Sequence, residues 1–141
     1  LKAAQARLAD RHGRHVPIAL KVAPDLEDDA IVAVAEAVRR HRVEGLIATN
    51  TTISRVGVAH HLHGDEAGGL SGRPLLERST LVLARFAECL QGEVALIGVG
   101  GIVDADGARA KYAAGAQLVQ LYSGLIYRGP GLVAEVLRAR E

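Results

Sequence analysis

The chain has 141 residues, 49% of them hydrophobic, with a formal net charge of +1. That length suits one ordinary domain with a real core, and the composition excludes a disordered chain. No apolar run reaches the roughly 18 residues of a membrane span, near-neutral charge gives no reason to propose a nucleic-acid partner, and aromatics at 3% leave few stacking platforms.

In chain order, residues 1–14 read as the end of a helix without a start, and the basic residues among its alanines do not make a signal peptide. The chain begins at Leu1 and contains no methionine. The expectation is a fragment cut from something longer on its N-terminal side. Residues 16–22 then form a short, nearly continuous apolar run, the pattern of a parallel strand covered on both faces. Lys21 interrupts it, so its ammonium either snorkels to an edge or faces a polar interior. Residues 27–42 read as a helix with acids at its start and Arg39, Arg40, His41 and Arg42 at its end. That order complements the helix dipole, and the basic cluster is read as a solvated terminus rather than an anion site.

A second strand, residues 46–49, ends in Thr49-Asn50-Thr51-Thr52. Four small polar residues exceed what solvating a strand end requires, and the carboxyl ends of parallel strands are where α/β proteins keep ligands. Residues 51–73 follow with little regular pattern, containing Gly68-Gly69 and Ser71-Gly72-Arg73-Pro74. A loop of that length is expected to be a lid or a ligand-contacting loop. Its His60, His61 and His63 are read as solvated rather than metal-ligating, because the loop offers no oriented set of further ligands.

Residues 74–90 read as a helix with Pro74 in its first turn. Its Cys89, the single cysteine, argues against disulfides or a thiolate metal site. A third strand, residues 94–99, runs into Gly98-Val99-Gly100-Gly101 and then a helix over 104–114 with Asp104 as N-cap and Gly115 as stop. Val103 stands where a dinucleotide fingerprint needs a third glycine. The turn is therefore either a plain tight turn or a backbone cradle for an anion. The fourth strand, residues 118–122, ends in Tyr122-Ser123-Gly124, leaves room for a helical turn over 125–129, and is followed by a helix after Pro130. Two glycine-containing loops on the last two strand ends match the phosphate site of (β/α)8 barrels. Successive strand–helix units imply a parallel sheet with right-handed crossovers.

Five segments in register carry a resemblance: Lys21-Val22-Ala23-Pro24-Asp25, Ile47-Ala48-Thr49-Asn50-Thr51-Thr52, Gly68-Gly69-Leu70-Ser71-Gly72-Arg73-Pro74-Leu75, Ile97-Gly98-Val99-Gly100-Gly101-Ile102 and Tyr122-Ser123-Gly124. Together they resemble the C-terminal part of the dihydroorotate dehydrogenases, in the membrane-associated, quinone-using class 2. The resemblance implies an α/β fold, with residues 1–141 forming the C-terminal half, about four β/α units, of one FMN-binding (β/α)8 TIM barrel domain. It further implies FMN as cofactor and oxidation of dihydroorotate to orotate in pyrimidine biosynthesis, with a quinone as electron acceptor. By the same resemblance, Lys21 contacts the flavin ring, Thr49 binds FMN, and Gly72 approaches the flavin through its backbone. Asn50 and Thr51 bind the orotate, while Gly101, Tyr122 and Ser123 hold the FMN phosphate. The catalytic serine base is expected upstream of Leu1, since none of Ser54, Ser71, Ser79 and Ser123 occupies its place. Quinone and membrane contacts are likewise expected from the N-terminal region, placing the parent protein peripherally on a bacterial inner membrane. A phosphate-sugar isomerase or synthase barrel without flavin is the alternative; it leaves Lys21 and the Thr/Asn cluster without a role. A half-barrel serving only for structure or interaction is a third reading.

Overall fold

A computed structural model describes residues 1–140. Four short strands, β1 (Ala19–Val22), β2 (Gly45–Ala48), β3 (Ala95–Val99) and β4 (Leu118–Gln120), pair in sequence order into one wholly parallel sheet. The helices are α1 (Lys2–His12), α2 (Asp28–Arg40), α3 (Leu76–Leu90), α4 (Ala105–Ala113), α5 (Ser123–Arg128) and α6 (Gly131–Arg138). This is an α/β fold of four strand–helix units, in the order the apolar runs predict.

The strands are shorter than those runs. Residues 16–18 belong to no strand, because Pro17 lacks an N–H and the neighbours are bonded elsewhere. The Val16 carbonyl accepts from the Gln5 amide at 2.7 Å, and the Ile18 N–H donates to Glu44 Oε2 at 3.0 Å. Glu44 also takes Lys2 at 2.8 Å, so one carboxylate ties α1 to the start of β1. The Lys2 ammonium, and next the Ile18 N–H, hold this carboxyl far below the usual glutamate range. At the other end of the sheet, β4 stops at Gln120 and Tyr122 becomes the residue before α5. Pro74 lies in a 3-10 turn, Arg73–Leu75, that precedes α3, instead of in its first turn.

Alternation along the strands divides the sheet into two faces. On one, Leu46, Ala48 and Leu96 pack against Ile31, Ala35 and Val38 of α2 and Val82, Leu83, Phe86 and Leu90 of α3. These side chains are buried, and each large one stabilises the fold by about 1.5–3 kcal/mol. A smaller cluster, Ile102, Ala108, Leu132 and Val136, joins α4 and α6. The opposite face carries Lys21, Ile47, Ile97 and Leu118 in one register row across all four strands. No helix among the described residues covers it, and Lys21 and Leu118 at its two ends are exposed.

Candidate functional site

The carboxyl ends of the four strands and the loop before α3 enclose a cleft of about 320 Å³, within the range of small-molecule sites. Lys21, Thr49, Asn50, Thr51, Gly72, Gly101, Tyr122 and Ser123 all line it. Eight residues singled out across a span of more than a hundred positions therefore meet in one place.

Each strand end contributes differently. Lys21 stands on the uncovered face and has no ion-pair partner among the described residues. Thr49 is buried; its N–H donates to the Val99 carbonyl at 3.1 Å and its hydroxyl to the Asn50 carbonyl at 2.9 Å. The Asn50 N–H donates to the Val22 carbonyl at 2.7 Å, and the Asn50 Oδ1 accepts from the Thr51 N–H at 2.9 Å. Asn50 and Thr51 are both exposed and line the cleft. Tyr122 is 77% exposed, so its phenol stands largely in solvent.

Thr52 has a different task. It is buried, bridges antiparallel to Leu70, and its hydroxyl donates to Asp25, whose second oxygen accepts the Ile53 N–H at 3.1 Å. The bridge and the Asp25 carboxylate close the base of the loop over 51–73, which holds no α-helix or strand. Gly69 folds back onto Thr51, where a Cβ would collide with the Thr51 hydroxyl. Beyond the bridge, the Ser71 and Ser123 hydroxyls meet at 2.9 Å across the cleft. The histidines lie away from the cleft; His63 pairs with Glu66 at 2.6 Å, both exposed.

The glycines at the end of β3, read as a tight turn or an anion cradle, line the cleft and also pack closely against α3. Gly100 and Gly101 have φ of 110° and 78°. A Cβ on Gly101 would lie 2.5 Å from Leu76 Cα, and one on Gly100 would lie 3.0 Å from Ser79 Cβ. Their bare sides are thus turned to the start of α3. Behind them is a layer that was missed: Lys111 is fully buried and donates to Ser79 Oγ at 2.5 Å. The spacing was a usable signal, since Gly107, Ala108 and Lys111 are the buried stripe of α4.

Burial pushes the Lys111 ammonium down to about 7 from 10.5. Between those values the unfolded chain holds a proton that the folded chain has released, so stability rises with pH across that window. Lys111→Met removes the term. It is expected to favour the folded state near pH 6 by about 2–3 kcal/mol relative to its effect near pH 9. Urea unfolding at both pH values measures this; equal effects would rule out the titration.

A model of the dihydroorotate dehydrogenase family matches residues 1–139. The dihydroorotate dehydrogenase (quinone) of Aromatoleum aromaticum is 58% identical over 139 residues, covering 99% of this chain and 40% of that protein. The protein of that name from Ralstonia nicotianae is 59% identical over the same length, again covering 99% and 40%. Among solved structures, DHODH from Eimeria tenella in complex with ferulenol superimposes with a TM-score of 0.85 at 36% identity, covering 92% of this chain and 34% of that one. The chain spans about 40% of the length of these curated relatives. With nearly every residue matched in sequence and most matched in fold, the chain belongs to the dihydroorotate dehydrogenase family.

Proposed function

We propose that this chain works within a longer polypeptide as the C-terminal half of an FMN-binding (β/α)8 barrel that oxidises dihydroorotate to orotate and reduces a quinone. The sheet supports the barrel: its strands run in sequence order, helices cover one face, and β1 and β4 are open edges. The relatives' greater length supplies room for the other half. The family match leaves the flavin-free isomerase reading without support.

The observation that carries the function is the convergence of the eight residues on one cleft. Their chemistry fits FMN. The N–H groups of Gly101, Ser123 and Gly124 donate to no protein acceptor among the described residues, and the Ser71 and Ser123 hydroxyls stand beside them. Together they form a donor set for a phosphate ester. Lys21, on the uncovered face, would offer a cation to an electron-rich ring such as an isoalloxazine, and Thr49 and Gly72 bound the same cleft. FMN, when bound, supplies the two-electron redox chemistry between dihydroorotate and quinone. The Asn50 amide and Thr51 hydroxyl orient the substrate ring and its carboxylate. The loop over 51–73, fixed at Thr52 and Asp25, keeps water from them.

The proton acceptor is assigned to a serine in the upstream part of the barrel, and the quinone site and peripheral attachment to a bacterial inner membrane to the N-terminal region. No helix among the described residues is long and apolar enough to cross a membrane. The test is direct. The full-length protein is expected to be yellow, to bleach anaerobically with dihydroorotate, and to recolour on adding a quinone. The 141-residue chain alone is expected to show no turnover. A colourless full-length protein, or one that dihydroorotate does not bleach, would reject the assignment.

A further inference from the structure

Among the described residues, Lys111 is the only charged side chain in the buried set, and the proposed reaction leaves it unused. It reaches in from α4 past Gly98, where an added Cβ would lie 3.1 Å from the Lys111 Cβ. Its ammonium donates to Ser79 Oγ, which lies fully buried on α3. Ser79 has one proton to give. With Lys111 donating to its oxygen, that proton goes to a carbonyl, and three are in reach: Leu75 O at 2.8 Å, Leu76 O at 3.1 Å and Gly100 O at 3.2 Å.

The third carbonyl is the informative one. The only cis peptide among the described residues is Ala48–Thr49, so the 100–101 peptide is trans. In a planar trans peptide the C=O of one residue and the N–H of the next point in opposite directions. The Gly100 carbonyl oxygen lies 3.2 Å from Ser79 Oγ and so faces α3, which turns the Gly101 N–H the other way, towards the cleft both glycines line. That N–H is one of the donors left without a protein acceptor. A cation behind the turn also favours an anion in front of it.

We propose that Lys111 and Ser79 are positioning residues that aim the Gly100–Gly101 peptide at a phosphate monoester, so that preference for FMN over riboflavin is set from behind the cleft. The proposal rests on the flavin reading above. It also accounts for a buried ammonium whose hydrogen-bond partner is a hydroxyl, an arrangement that costs stability in a purely structural core.

The test titrates apo forms of the full-length wild type, Lys111→Met, Ser79→Ala and the double variant with FMN and with riboflavin, followed by flavin fluorescence. Met keeps the methylene stem beside Gly98. The double variant removes the ammonium and the hydroxyl together, so neither is left facing the gap of the other, and it decides the matter if either single variant fails to fold. In the double variant, FMN affinity is expected to fall roughly 10-fold, with riboflavin affinity changed by less than about two-fold. Equal losses for the two flavins would mark a merely structural role, and an unchanged FMN affinity would remove any role; either result overturns the proposal. A wild type that binds neither flavin would instead overturn the flavin assignment on which it rests.

Discussion

Replacing Lys21 by Ala is expected to slow flavin reduction by dihydroorotate roughly 100-fold in the full-length protein, and to release most of the FMN during gel filtration. Lys21 is the only charged residue in the four strands. It shares a register row with Ile47, Ile97 and Leu118 on the face that no helix covers. In the proposed barrel, closure over that face would take the ammonium out of water, at a cost of several kcal/mol unless an electron-rich group meets it. None of the described residues provides one, so the partner is assigned to the ligand. Lys21→Met is the control, since it keeps the stem and discards the charge. Both variants are expected to behave alike in absorbance per protein and in anaerobic stopped-flow bleaching. Full flavin content and an unaltered rate in Lys21→Met would show that the cation has no part in the site.

The parts of this molecule legible in the sequence are those governed by local pattern. Apolar runs located all four strands: one face packs against helices, and Ile47, Ile97 and Leu118 keep the other face apolar although no described helix covers it. Asp104 was readable as an N-cap, and its carboxylate accepts the Gly107 N–H at 2.8 Å. The Thr-Asn-Thr-Thr cluster stood out because four polar side chains exceed the needs of a strand end. The division of labour within it was less legible: Thr52 is spent on Asp25 and Leu70, a long-range pairing that spacing does not encode. Asp25 and Ser79 were invisible as site-shaping residues for the same reason. Each acts on an element some 20 or more residues away, and a single sequence holds no record of which loop returns to which helix. Arg78 is a further instance, holding the Pro24 and Leu26 carbonyls at 2.8 Å from α3. The glycines after β3 were read as a tight turn or an anion cradle, and their packing against the start of α3 was not legible.

That packing makes Gly101→Ala a strongly destabilising substitution. Two costs add. The backbone at φ 78° is one that a side chain makes unfavourable by about 1–2 kcal/mol. The new methyl would also sit 2.5 Å from both Cα and Cβ of Leu76, so the first turn of α3 has to move. Leu75, in the turn just before, and Ser79, one turn into the helix, are both buried, and displacing them overpacks the core for about 1–3 kcal/mol more. The expected loss is about 2–5 kcal/mol, a large share of a typical folding free energy. Gly13→Ala separates the two costs. Gly13 ends α1 at φ 60° and ψ 21°, and nothing lies within 4 Å of its added Cβ. It carries backbone strain alone, for an expected loss of about 1–2 kcal/mol. Chemical denaturation of the two variants in the full-length protein measures the difference. If Gly101→Ala costs no more than Gly13→Ala, the start of α3 is free to shift, and its contact with the turn does not hold the cleft in shape.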